Sequence, residues 1–303
     1  MINLSVKLND WTLKNPVIPA SGTFGYGLEF SMLYDLNVLG AFSTKGTTWE
    51  PRVGNPLPRI AETASGMLNA VGLQNPGAQA VKSLYFPAIR RVFSDKLIVN
   101  VGGHDEESYI KAVELLSDDP IVGAVELNIS CPNVKAGGMA IGTDAGLAAG
   151  LTAAVKKVCR CQLIVKLSPN VTDIAAIARA AEDAGADGIS LINTLLGMAV
   201  DYRTGRPIIA NTYAGHSGGA IKPVALRMVH QVAKAVKIPV IGMGGVETAE
   251  DVIEFMSVGA TAVMVGSKNL TDPFVCKKII ERLPSVLQEL GTDDINTVRG
   301  RAL

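Results

Sequence analysis

Apolar residues along this chain fall in short continuous runs separated by longer segments of helical spacing. The runs are PVIPASG (16–22), GAFSTKG (40–46), KLIVNVGG (96–103), GAVELNIS (123–130), QLIVKLSP (162–169), GISLINT (188–194), PVIGMGG (239–245) and TAVMVGS (261–267). A run that is apolar throughout, without alternation, suits a strand covered on both faces, so these eight read as buried parallel strands. Between them DAGLAAGLTAAVKKV (144–158), DIAAIARAAEDAGA (173–186), KPVALRMVHQVAKAV (222–236) and TAEDVIEFMSVGA (248–260) carry the three-to-four residue spacing of amphipathic helices. Alternating strand and helix predicts a parallel sheet. Eight units with no composition break predict a closed (β/α)8 barrel, one domain over 1–303, in preference to an open doubly wound sheet. The opening LSVKLNDWTLKN reads as a β-hairpin turning at Asn9-Asp10 and placed to plug the N-terminal mouth. Two connections, 47–95 and 195–221, are longer than a barrel needs. Both follow a strand's C-terminal end, the face on which barrel enzymes build their sites.

Composition narrows the function without naming it. The 303 residues, 48% hydrophobic, suit one barrel. Lys plus Arg and Asp plus Glu both total 28, a balance that argues against a nucleic-acid partner. The first residues, MINLSVKLNDWTLKNPV, alternate and carry charge, with no apolar core of a secretion signal, and a cytoplasmic protein is expected. Gly, Pro and charges interrupt every apolar stretch, so no membrane span is expected. Cys131, Cys159, Cys161 and Cys276 include no C-x-x-C pair, and His104, His216 and His230 form no ligand motif. No resident metal or iron–sulfur cluster is expected, and the histidines read as surface or packing residues.

Polar residues stand where barrel strands should end: Ser21, Lys45, Asn100, Asn128, Lys166, Asn193 and Thr194. A single Asn there reads as a cap or turn residue; seven on one rim read as a site. An ammonium at a barrel mouth is poorly solvated unless an anion meets it, so the two lysines imply a ligand with negative or developing negative charge. An acidic partner for Lys45 is the structural alternative. The other strand ends carry no carboxylate, and Glu126, inside the fourth run, is free to face either way. GMGGV (242–246) and VGS (265–267) follow the last two strands, where many barrels seat phosphate. A short helix from Val246 or Glu247 is expected to aim its positive end there, with an ordinary tight turn as the alternative.

The most specific string is ELNISCPNVK (126–135). By residue type alone Cys131 is an inert buried thiol. On a loop of the catalytic face, flanked by Asn128 and Asn133, its thiolate can act as a base. The chain here resembles the class 1 dihydroorotate dehydrogenases, and within them the NAD-linked class 1B. NPVIPASGTFGYG (15–27), STKGTT (43–48), GNPLPR (54–59), GMLNAVGLQNPG (66–77), ELNISCPNVK, VKLSPN (165–170), INTLLGM (192–198), SGGAIKPVALRMV (217–229) and GMGGVETAEDVIEF (242–255) carry the likeness nearly end to end.

The resemblance implies a role for each of these positions. Cys131 matches the family's catalytic base. Lys45, Asn69, Ala70, Val71, Gly72, Leu73, Asn128, Asn133, Asn193 and Thr194 match positions that hold the orotate ring. Ser21, Lys45, Gly46, Asn100, Asn128, Lys166, Ile192, Gly218, Gly244, Gly245, Gly266 and Ser267 match contacts to FMN. The implied reaction oxidises dihydroorotate to orotate in UMP biosynthesis, with the C5 proton going to Cys131 and the C6 hydride to FMN. An unperturbed thiol pKa of about 8.5 suits that base, with Lys45 favouring the thiolate and Lys166 steadying negative charge on the flavin. The chain has no G-x-G-x-x-G opening its first βα unit, so a partner must carry electrons onward. In class 1B that partner is an iron–sulfur flavoprotein with FAD and a [2Fe–2S] cluster, which reduces NAD within a heterotetramer of two copies of each subunit. The alternatives are a fumarate-linked class 1A enzyme, a non-redox phosphate-binding lyase or isomerase using Lys45 or Lys166, and a non-catalytic binding subunit.

Overall fold

The computed structural model describes residues 2–130 and 141–303. Cys131 and Asn133 lie outside the described residues. The chain opens with β1 (Val6–Leu8) and β2 (Trp11–Leu13), an antiparallel hairpin pairing Leu8 with Trp11 across Asn9-Asp10. β3 (Val17–Pro19) starts the barrel. The first long connection holds β4 (Ile60–Thr63) and β5 (Gly66–Asn69), and the barrel resumes with β6 (Leu97–Val101), β7 (Val122–Asn128), β8 (Gln162–Lys166) and β9 (Gly188–Leu191). The second long connection holds β10 (Leu195–Gly197), β11 (Val200–Asp201), β12 (Arg206–Pro207) and β13 (Ala214–Ser217). β14 (Val240–Met243) and β15 (Ala262–Val265) complete the set.

Seven strands form one parallel sheet in the order β3-β15-β14-β9-β8-β7-β6. All residues of β3, β6, β9, β14 and β15 are buried, as continuous apolar runs require. The expected second strand, 40–46, keeps its place but not a regular ladder. Gly40 N–H donates to the Val17 carbonyl (3.2 Å) and Ser43 N–H to that of Pro19 (2.9 Å). On the other side Ile98 N–H donates to the Phe42 carbonyl (3.0 Å) and Thr44 N–H to that of Ile98 (2.9 Å). The segment therefore bridges β3 and β6 and closes the ring. Its ladder is interrupted where Lys45 N–H turns to the Gly25 carbonyl (2.7 Å), and pairing with β6 resumes at Thr47, whose N–H donates to the Asn100 carbonyl (2.9 Å).

The predicted helices appear as Ala145–Lys156, Ile174–Asp183, Lys222–Ala235 and Ala249–Ser257, joined by Glu106–Ser117 and Val275–Glu289. Lys222–Ala235 buries Ala225, Met228, Val229 and Val232, the single stripe its spacing predicts. The hairpin caps the starts of the strands: Gln162 Nε2 donates to the Leu8 carbonyl (2.9 Å), and Asn9 Nδ2 to the Asp187 carbonyl (2.9 Å). At Gly123 any Cβ would stand 2.9 Å from the Trp11 ring, so the start of β7 and the hairpin fit only with glycine there.

The two long connections merge. β13 pairs antiparallel with β5, matching Gly215 to Asn69, and the sheet β10-β13-β5-β4 stands at the opposite, C-terminal end of the barrel. At Gly66 an added Cβ would run into the Ser217 carbonyl oxygen, and at Gly218 into the Gly66 backbone. Glycine at both positions lets the two insertions touch backbone to backbone. Among the described residues no helix is long and apolar enough to cross a membrane, and no group of three His, Cys, Asp or Glu side chains could hold a metal.

Candidate active site

The strand ends and the sheet above them enclose a cavity of about 540 Å³. Every site residue expected from the sequence, among those described, lines it. From the barrel come Ser21, Lys45, Gly46, Asn100, Asn128, Lys166, Ile192, Asn193 and Thr194; from the first insertion, Asn69, Ala70, Val71, Gly72 and Leu73. Gly218, Gly244, Gly245, Gly266 and Ser267 form the remaining wall. Ser130, immediately before Cys131, also lines the cavity.

The floor corrects one expectation. Glu126 faces into the barrel, fully buried, and its Oε2 lies 3.6 Å from the Lys166 ammonium. Lys166 therefore has a carboxylate beneath it, and it also donates to Ser21 Oγ (3.2 Å). The inference of an anionic ligand from two unpaired lysines thus holds only for Lys45, which has no carboxylate partner among the described residues. Burial, and secondarily the Arg59 guanidinium, push the Lys45 ammonium below the usual lysine pKa.

Asn128 ends β7 and Asn193 follows β9, and strand register brings their amides together. Asn193 Nδ2 donates to Asn128 Oδ1 (3.2 Å), while Asn193 Oδ1 accepts the Thr194 N–H (2.8 Å). That leaves Asn128 Nδ2 without an acceptor among the described residues and available to a ligand carbonyl. Asn100 is 1% exposed; its Nδ2 donates to Glu126 Oε2 (2.6 Å), and its buried Oδ1 has no donor.

The 69–73 loop is fixed by residues that the sequence reading did not single out. Asn75 accepts from Thr48 N–H (3.1 Å) and Gly77 N–H (2.9 Å) and donates to Thr48 Oγ1 (2.8 Å) and the Leu73 carbonyl (2.7 Å). Leu73 holds a left-handed backbone (φ 55°). Its side chain reaches positions 46 and 102, where an added Cβ would stand 3.1 and 3.0 Å from it. Asn55 Nδ2 holds the Ala70 carbonyl (2.9 Å). Asn170 takes the Leu196 N–H (2.8 Å) and donates to the Thr194 carbonyl (3.1 Å), anchoring the second insertion. Asn75 and Asn170 sit in GMLNAVGLQNPG and VKLSPN, so a polar residue just beyond an apolar run was the available signal.

The glycine wall departs from expectation in one detail. No helix starts at Val246 or Glu247: the helix begins at Ala249 behind Thr248, and Asp251 Oδ2 accepts the Glu247 (2.8 Å) and Thr248 (2.9 Å) N–H groups itself. The short helix follows β15 instead, at Lys268–Thr271. Gly244 and Gly245 have φ of 123° and 76°, which only glycine adopts readily. At Gly266 a Cβ would project into open space.

A family model described as dihydroorotate dehydrogenase matches residues 3–287. The chain belongs to the dihydroorotate dehydrogenase family. A relative from Bacillus mycoides (strain KBAB4), dihydroorotate dehydrogenase B (NAD(+)), catalytic subunit, is 56% identical over 302 residues, covering 100% of this chain and 97% of that protein. A protein of the same description from Bacillus anthracis (strain CDC 684 / NRRL 3495) matches equally, at 56% over the same span. Among solved structures, the dihydroorotate dehydrogenase of Eimeria tenella in complex with ferulenol superposes with a TM-score of 0.83 at 22% identity, covering 99% of this chain and 88% of that one. That likeness establishes the barrel fold for this chain.

Proposed function

We propose that this chain is the catalytic subunit of an NAD-linked, class 1B dihydroorotate dehydrogenase, oxidising dihydroorotate to orotate in pyrimidine biosynthesis. The observation that carries the reading is convergence. Residues from every part of the sequence that resembles the family, and is described, line one cavity at the barrel's C-terminal rim. The full-length match to NAD(+)-named catalytic subunits favours class 1B over a fumarate-linked enzyme.

The residues fit FMN. Asn100 presents a buried carbonyl oxygen that lacks a donor, as an imide N–H requires. Gly218, Gly244, Gly245 and Gly266 line the cavity, and at Gly266 a Cβ would stand in open space, so the backbone there is free to meet a phosphate. Ser21, Lys45, Gly46, Asn100, Asn128, Lys166, Ile192 and Ser267 complete the flavin site. When bound, FMN supplies the acceptor for the C6 hydride of dihydroorotate.

The chain's own part is to bind, orient and take the proton. Lys45 meets the substrate carboxylate, an assignment that suits an ammonium with no carboxylate partner among the described residues. Asn128, Asn133, Asn193 and Thr194 match the donors and acceptors of the pyrimidine ring, and Asn69 to Leu73 close over it. Cys131 would remove the C5 proton as thiolate. Electrons leave through a partner flavoprotein carrying FAD and a [2Fe–2S] cluster, two copies of each subunit forming a cytoplasmic heterotetramer that reduces NAD. The whole chain, 1–303, acts as one FMN-binding domain.

The test is the absorbance spectrum before and after anaerobic dihydroorotate. A yellow protein whose flavin band bleaches on addition is the expected result. A colourless preparation that takes up no added FMN would sink the assignment, and rapid fumarate reduction by the chain alone would move it to class 1A.

A further inference from the structure

Branched apolar side chains ordinarily fill a barrel interior, and the layer beneath this cavity departs from that. Glu126 Oε2 accepts from Asn100 Nδ2 (2.6 Å) and Ser43 Oγ (3.2 Å), Oε1 accepts from Ser190 Oγ (2.8 Å), and Lys166 Nζ stands 3.6 Å from Oε2. Every neighbour is a donor, so the group reads as an acceptor-only carboxylate. Burying a carboxylate is costly even when its hydrogen bonds are met, and an apolar layer would avoid the cost. The mechanism above makes no use of Glu126.

Two of its partners line the cavity. Because Asn100 Nδ2 is engaged by the carboxylate, Oδ1 faces the opposite way, toward Gly46, where an added Cβ would stand 2.8 Å from it. That oxygen is the acceptor without a donor. Lys166, 5% exposed, is held between Glu126 and Ser21.

We propose that Glu126 is a positioning residue for the flavin: it turns the Asn100 carbonyl toward an imide N–H of the ring and screens the Lys166 charge, setting how strongly the site favours reduced flavin. The proposal rests on the reading that the cavity holds FMN. Glu126→Gln places an amide NH₂ among donors. The Asn100 amide then reverses to accept from it, and its own NH₂ takes the place of the free oxygen beside Gly46. Lys166 also loses its screening charge and stabilises negative charge on the flavin more strongly.

Two measurements test this. The apo-protein is titrated with FMN and with FMN methylated at the imide nitrogen, and the midpoint potential of the bound flavin is measured. The wild type is expected to bind the methylated flavin at least tenfold more weakly, and Glu126→Gln to lose that discrimination. The variant's potential is expected to rise by about 30 mV or more, equivalent to a tenfold shift in relative affinity for a two-electron couple. Glu126→Asp, which keeps the charge, returns the potential toward wild type. A purely structural role would lower thermal stability yet leave discrimination and potential unchanged, and that result overturns the proposal. If Glu126→Gln does not fold, the wild type still decides, since equal binding of the two flavins also overturns it. A wild-type apo-protein that binds neither flavin overturns the FMN reading itself.

Discussion

Lys45 is the residue at which function and stability pull in opposite directions. Its ammonium is largely buried, has no carboxylate partner among the described residues, and is held below the usual lysine pKa by burial and by Arg59. Folding therefore carries a cost wherever the lysine is charged in the folded protein. Lys45→Met removes that cost, and we expect the apo-protein to melt about 2 °C or more higher at neutral pH while losing orotate binding. The sign follows from linkage: the cost is complete below the depressed folded pKa and fades as pH rises toward the unfolded value, so the advantage of the variant must shrink on the alkaline side. Melting curves across pH check this, and an advantage that grows with pH would contradict it. For Cys131, whose surroundings lie outside the described residues, the expectation is chemical: Cys131→Ala keeps the flavin spectrum and loses about 10²–10⁴-fold in turnover. Unchanged steady-state rates would remove its role as base. The rim residues were legible in the sequence because a lysine or asparagine closing an apolar run is anomalous there. Glu126 was not, since continuous apolar strands lack the alternation that tells inside from outside, and its partners Ser43 and Ser190 are small residues with many uses.

At the scale of elements, the 69–73 loop is held through a single side chain. Asn75, 7% exposed, joins the loop to the end of the 40–47 segment through Thr48 and to its own neighbours Leu73 and Gly77. Asn75→Ala leaves the Thr48 and Gly77 N–H groups buried without acceptors, which costs about 3 kcal/mol in all. Because the loop lines the part of the cavity proposed for the substrate, we expect the KM for dihydroorotate to rise while FMN occupancy holds. Urea midpoints and steady-state kinetics measure the two effects, and an unchanged KM in a destabilised protein would show that the loop's position does not depend on Asn75. Strands and helices of the barrel were readable because the strands are short unbroken apolar runs and the helices carry a three-to-four residue period. The β10-β13-β5-β4 sheet was not: its central contact pairs Gly215 with Asn69, far apart in sequence, and its strands are short and half-buried. The 40–46 strand was overread because an apolar run reports burial, whereas its ladder is interrupted by a backbone turn at Lys45 that no side-chain pattern records.

The whole molecule has one end for chemistry and one end closed. The hairpin is bonded across the starts of the strands, and among the described residues the cavity is lined by the C-terminal strand ends beneath the joined insertions. In the proposed reaction each turnover delivers two electrons to that cavity, and the same rim releases them. NAD does not collect them by the usual route, because the chain has no glycine-rich dinucleotide turn opening its first βα unit, and the residues lining the cavity are those proposed for FMN and dihydroorotate. We therefore expect the isolated flavin-loaded chain, given dihydroorotate and NAD, to bleach once and then stop, producing orotate in proportion to the enzyme present. A small artificial dye that reaches the rim should restore continuous turnover without any other protein, since it needs no binding site of its own. Orotate formation followed with NAD alone, with dye alone and with both separates the steps. Sustained NADH formation by the chain alone would mean that the nicotinamide reaches the rim directly, and the need for a partner would disappear.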